Sequence, residues 1–178
     1  MGRVSPKQPA GTAERLSAAL GEHFSMVWRT LRRLGIESAA ANDAAQVVFV
    51  TFASRAHEIP VARERPFLAG LAIRVAANAQ RRKRRHKEEE VRVPHHGAWA
   101  DEETMNRSER RQLLDAGLAA LSTELRTVFV LYELEGFTLP EIAETLELPL
   151  VMATSRLRQG RHAFETWVTR EQSGGGPP

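Results

Sequence analysis

The chain has 178 residues, 42% hydrophobic and 6% aromatic, with a net charge of only +3. That length suits one ordinary domain or two small ones with helix-lined cores, and the charge permits a nucleic-acid partner without requiring one. The absence of cysteine excludes disulfides, thiolate zinc sites and a cysteine nucleophile. No apolar run is long enough for a membrane span and no hydrophobic signal segment opens the chain, so a cytoplasmic protein is expected.

Residues 1–11 hold Pro, Lys and Gly without periodicity and are expected to be disordered. From about Thr12, the residues Leu16, Leu20, Phe24, Val27, Leu31 and Leu34 recur every three or four positions, which predicts an amphipathic helix ending at Gly35. Asn42-Asp43 offers a cap for a second helix through Val48, Phe49 and Phe52. Residues 58–66, with two prolines and alternating charge, read as a loop. A third helix carries Phe67, Leu68, Leu71, Ala72 and Val75.

That helix runs into a basic stretch. Between Arg74 and Lys87 there is no acidic residue, and six of residues 81–87 are Arg or Lys. On a continued helix Arg74, Arg81 and Arg85 share a face, a strip suited to several backbone phosphates. A solvated helix end is the plainer reading, but so dense a run repels itself and favours a polyanion. Residues 88–109 mix charges with Pro94, Gly97 and the pair His95-His96, and read as a flexible linker. These histidines with Asp101 do not make a metal site, because nothing rigid would hold them.

Leu113, Leu114, Leu118 and Leu121 resume helical spacing, and Ser122-Thr123 caps a helix lined by Leu125, Val128, Phe129 and Tyr132 that ends at Glu135-Gly136. Thr138 and Glu141 have capping-box spacing with Pro140 in the first turn. A short helix through Ile142, Ala143 and Leu146 follows and stops at Leu148-Pro149. The last helix would bury Ala153, Leu157, Phe164 and Trp167 and turn Thr154, Ser155, Arg158, Gln159, Arg161 and His162 outward. Two helices joined by a tight turn, the second with a polar, basic face, fit a helix-turn-helix entering a major groove; an ordinary helical hairpin is the alternative. Residues 171–178 are expected to be a disordered tail. The fold class is all-α: two small helical domains, residues 12–87 and 110–170, joined by a flexible linker, the second a helix-turn-helix domain.

The layout resembles the extracytoplasmic-function group of bacterial RNA polymerase sigma factors. In the second domain the resemblance is carried by the residues from Leu121, then Glu133-Leu134-Glu135-Gly136-Phe137-Thr138, Glu141-Ile142-Ala143 and Ser155-Arg156-Leu157. In the first it is carried by Asp43-Ala44-Ala45-Gln46-Val47-Val48-Phe49, by Phe67-Leu68 to Arg74 and by the arginine run. It implies a promoter-specificity subunit and not an enzyme. Asp43, Gln46 and Phe49 would dock on core RNA polymerase, and Arg74, Asn78, Arg81, Arg82 and Arg85 would hold the minus-ten element. Thr154, Ser155, Arg156, Arg158, Gln159 and Arg161 would read the minus-thirty-five element. Its partners would be core polymerase and promoter DNA, with an anti-sigma factor often present in the family; no cofactor, metal or membrane is implied. Val47 stands where the family usually has an acidic residue, Glu147 where it often has Gly, and Val151-Met152 where Gly-Thr is common. A helix-turn-helix regulator acting without polymerase is the alternative reading, and a helical protein–protein adaptor a third.

Overall fold

The computed structural model describes residues 10–87 and 102–174. Among the described residues, seven α-helices carry the fold: α1 (Ala10–Arg33), α2 (Ser38–Arg55), α3 (Glu64–Lys87), α4 (Glu102–Ala120), α5 (Thr123–Phe129), α6 (Leu139–Thr145) and α7 (Leu150–Gln172). Among the described residues there is no β-strand, and no helix is long and apolar enough to cross a membrane. The histidine pair and Asp101 lie outside the described residues.

The first unit packs α1, α2 and α3 around Val27, Leu31, Val48, Phe52, Leu68 and Ala72, all fully buried. Gly35 ends α1 at φ +93. There Ile36 N–H donates to Leu31 C=O and Gly35 N–H to Arg32 C=O, a pairing that needs a left-handed residue in between. Helix α2 starts at Ser38, ahead of the cap expected at Asn42-Asp43, so Asn42 lies inside the helix, where its carboxamide accepts from the Trp28 indole Nε1 at 3.1 Å. Two short 3₁₀ turns, Ala56–Glu58 and Val61–Arg63, replace the expected irregular loop. The Arg15 guanidinium ties them to α1, donating to Ala56 C=O, Ile59 C=O and the buried Glu64 carboxylate.

In the second unit α4 begins at Glu102, inside the stretch read as linker, and Ser122 caps α5 as its spacing predicts. Helix α5 continues as a π-helical turn, Val130–Leu134, before Gly136 at φ +68. Close approach fixes the packing of α7. A side chain at Gly117 would meet the Phe164 ring at 2.6 Å, and one at Gly160 would meet Leu125 C=O at 3.4 Å.

The two units pack against each other. One apolar cluster joins Leu31, Phe52 and Leu68 of the first unit with Leu131, Phe137, Ile142 and Leu157 of the second. Above it, the Glu135 side chain is 1% exposed and accepts from Arg29 Nη2 at 2.8 Å and Arg33 Nη1 at 2.5 Å. Arg65 donates to Glu135 C=O and lies 4.0 Å from the Phe137 ring centroid. Arg63 pairs with Glu144 on α6. The Glu135 carboxylate, taken this far out of water, needs such complete pairing.

Candidate nucleic-acid interface

The helix-turn-helix is built by local chemistry. Thr138 Oγ1 accepts from Glu141 N–H, and the Glu141 carboxylate accepts from Thr138 N–H at 2.7 Å, closing a full capping box with Pro140 in the first turn. The Thr138 backbone N–H, first, and its hydroxyl hold the Glu141 carboxyl below its ordinary value of 4.5. At the other end of α6, Leu148 N–H reaches Ala143 C=O and Glu147 N–H reaches Glu144 C=O. This closure requires a left-handed residue, and Glu147 supplies it at φ +53 without being glycine. Pro149 then caps α7, and Ala153 and Leu157 anchor its inner face.

The outer face of α7 carries the expected readers. Thr154, Arg158, Gln159, Arg161 and His162 are exposed, while Ser155 and Arg156 are half-buried. The Ser155 hydroxyl accepts from Gln159 Nε2 at 3.0 Å, and the Thr154 hydroxyl donates to Leu150 C=O at 2.9 Å. Arg161 is held by Glu133 at 2.5 Å and lies over the Tyr132 ring at 5.2 Å, and the hydrogen bond to Glu133 chiefly raises its pKa. Arg158 has no such partner among the described residues and stands free at the groove between Leu139 and His162. Leu150, Val151 and Met152 are exposed at the start of α7, a feature periodicity could not separate from burial.

The basic strip lies on α3, with Arg74, Asn78, Arg81, Arg82 and Arg85 all exposed. Asn78 accepts from Arg81 one turn on. Arg74 lines a cleft with Arg55, Arg63 and Phe67, and the far wall of that cleft is Glu144 and Thr145 of α6 with Glu147 in the turn after it. The strip and the reading helix therefore do not form one continuous surface. The first helix of the helix-turn-helix leans on the head of the strip.

On α2, Asp43, Gln46, Val47 and Val50 share one exposed face at spacings of three and four. Phe49 does not join them. It is 4% exposed and packs against Phe24 at 6.2 Å between ring centroids, so it supports this face from below and cannot touch a partner. Exposed Phe24 and Leu20 extend the apolar part of the face onto α1. The groups that sequence reading missed are Arg29, Arg33, Arg63, Arg65, Glu135 and Glu144. The only local signal was Arg29 and Arg33 at a spacing of four, which puts two cations on one stripe.

Residues 111–163 match the family described as Sigma-70, region 4. No curated protein matches the chain. Among solved structures, CnrH in complex with the cytosolic domain of CnrY has a TM-score of 0.69 at 19% identity, over 90% of this chain and 91% of that one. The sigma factor RpoE of Bartonella quintana, in complex with the anti-sigma factor NepR, has 0.68 at 15% identity, over 88% of this chain and 98% of that one. Both matches extend over both units.

Proposed function

We infer that this chain, which carries a sigma-70 region 4 domain within a fold shared with sigma factors, is a sigma factor of the extracytoplasmic-function group. It binds core RNA polymerase and directs promoter-specific initiation in the cytoplasm, as a specificity subunit and not as an enzyme. The observation that carries this reading is the capped helix-turn-helix at 138–172, most of it within the matched residues 111–163, with Arg158 and Gln159 exposed on its second helix.

The recognition helix α7 enters the minus-thirty-five major groove, where its outward side chains reach base edges. Thr154, Ser155, Arg158 and Gln159 read bases, and Arg156 and Arg161 hold phosphates once Arg161 exchanges Glu133 for the backbone. The strip on α3 takes the minus-ten strand: Arg74, Arg81, Arg82 and Arg85 neutralise phosphates and Asn78 orients Arg81. The face bearing Asp43, Gln46, Val47 and Val50 docks on polymerase, with apolar Val47 and Val50 at its centre. The units divide at 12–87 and 110–170. RpoE of Bartonella quintana, similar in fold over 88% of this chain, was solved with an anti-sigma factor, and an anti-sigma partner fits this chain.

The test is capture of core polymerase by the tagged full chain, with footprints of the bound duplex. Stable capture and an asymmetric two-element footprint support a sigma factor. No capture, with a palindromic footprint from the protein alone, would establish a dimeric regulator instead.

A further inference from the structure

Helix α7 opens with three consecutive apolar residues turned to solvent: Leu150 is 50% exposed, Val151 74% and Met152 41%. Its inner face is already filled, by buried Ala153 and Leu157 and by Gly160 against Leu125 C=O. Val151 stands four residues before Ser155 and seven before Arg158, and Met152 seven before Gln159, so both continue the outer reading face toward the start of the helix. The Thr154 hydroxyl donates its proton to Leu150 C=O, and residues 150–154 therefore present no free side-chain donor. Single exposed apolar residues need no explanation, but three in a row on one helix end do. By themselves they fall far short of the roughly 800 Å² that each side of a stable protein interface buries. They do match the one small apolar group in the major groove, the C5-methyl of thymine. The first residues of a recognition helix are also those that reach base edges.

We propose that Val151 and Met152 form an apolar reading edge for the 5-methyl group of thymine, so that this chain selects a T·A pair where the first turn of α7 faces the major groove. This rests on the reading of α7 as the DNA-reading helix, and names the base that its leading turn selects. Selection works in two ways. A thymine methyl displaces water from the valine and methionine side chains, a gain of about fourfold in affinity for one buried methyl group. Cytosine would instead set its N4 amino donor against methyl groups that cannot accept it. Between Val151 and Arg158 the helix rises about 10 Å, roughly three base-pair steps. The selected thymine and the base that Arg158 reads therefore belong to one short element, apolar recognition at one end and hydrogen-bonded recognition at the other.

The probe is the duplex that the full chain selects from a randomised library, alone and bound to core polymerase. Each thymine is replaced in turn by deoxyuridine, which removes the methyl group and keeps every hydrogen-bonding atom. At one or two thymines of the element read by α7, the replacement should weaken binding about three- to fivefold. In Val151→Ala with Met152→Ala that difference should vanish. At the same position 5-methylcytosine should bind better than cytosine to wild type, and no better to the double variant. Both side chains are exposed, so the variant should keep the circular dichroism and melting temperature of wild type, which separates lost reading from lost folding. Deoxyuridine tolerated at every thymine overturns the proposal, as does a deoxyuridine effect that persists in the double variant. A double variant that loses core polymerase while its base preferences stand also overturns it, and makes the patch a protein contact. The sigma reading fails separately: a chain that captures no polymerase, yet alone shows the methyl effect on its selected duplex, loses that reading and keeps the proposal. A chain that selects no sequence under either condition overturns both.

Discussion

Glu147 sits in a backbone conformation that L-residues adopt at a cost, φ +53, because the end of α6 needs a left-handed residue to bond Leu148 N–H to Ala143 C=O. Glu147→Gly removes the Cβ clash and should raise stability by about 0.5–1 kcal/mol, less than the full strain because glycine also loosens the unfolded chain. Thermal unfolding reads this directly. An unchanged midpoint would mean that the Glu147 side chain gains in the arginine-lined cleft what its backbone loses. Arg158 stands at the opposite extreme, with no strain and no intramolecular partner among the described residues. Arg158→Ala should cost about 1–3 kcal/mol against one base position and little elsewhere. Competition among single-base variants of the bound duplex would show this as a local loss of preference, whereas equal weakening on every sequence would make Arg158 a phosphate contact.

At the scale of elements, α6 depends on its capping box. The folded Glu141 carboxyl is held below its ordinary 4.5, so the box contributes stability above that value and loses it as pH falls through the lowered folded value. Thr138→Ala should destabilise by about 1 kcal/mol at neutral pH. The difference from wild type should shrink as pH drops below 4.5, and a gap that stays constant in acid would show that the carboxylate plays no part. On α3 the strip should act additively: Arg81→Ala with Arg82→Ala should lower the salt slope of DNA binding by up to about two, and an unchanged slope would place both in solvent.

These two helices also show what a single sequence reveals. The caps at Ser122 and Thr138 and the stops at Gly35 and Gly136 are signals contained within a few residues, and the structure realises each, whereas α6 ends ahead of the expected stop at Leu148-Pro149, closed by Glu147 at φ +53. Asn42 misled because α2 already starts at Ser38; its side chain meets Trp28, fourteen residues back, and local spacing has no access to such a partner. Phe49 misled for a related reason. It shares a motif with Asp43 and Gln46, yet its place on the helix turns it inward onto Phe24.

For the whole molecule the decisive contacts were beyond sequence reasoning. Arg29 and Glu135 are 106 positions apart, and neither periodicity nor capping chemistry relates them. Their energetics favour specificity over strength. A buried carboxylate between two guanidinium groups recovers little more than its own dehydration, but it disfavours any arrangement that leaves it buried and unpaired. Burial of Phe137, Ile142 and Leu131 in the shared cluster supplies the attraction, at about 1.5–3 kcal/mol for each large side chain.

The sigma function proposed for this chain is to give core RNA polymerase a promoter preference. The most direct measurement is transcription from a randomised promoter library by core polymerase reconstituted with the full chain, with transcript start sites sequenced. New transcripts should come from templates sharing two separated elements, one of them altered in preference by Arg158→Ala. Transcripts identical to those of core polymerase alone would contradict it.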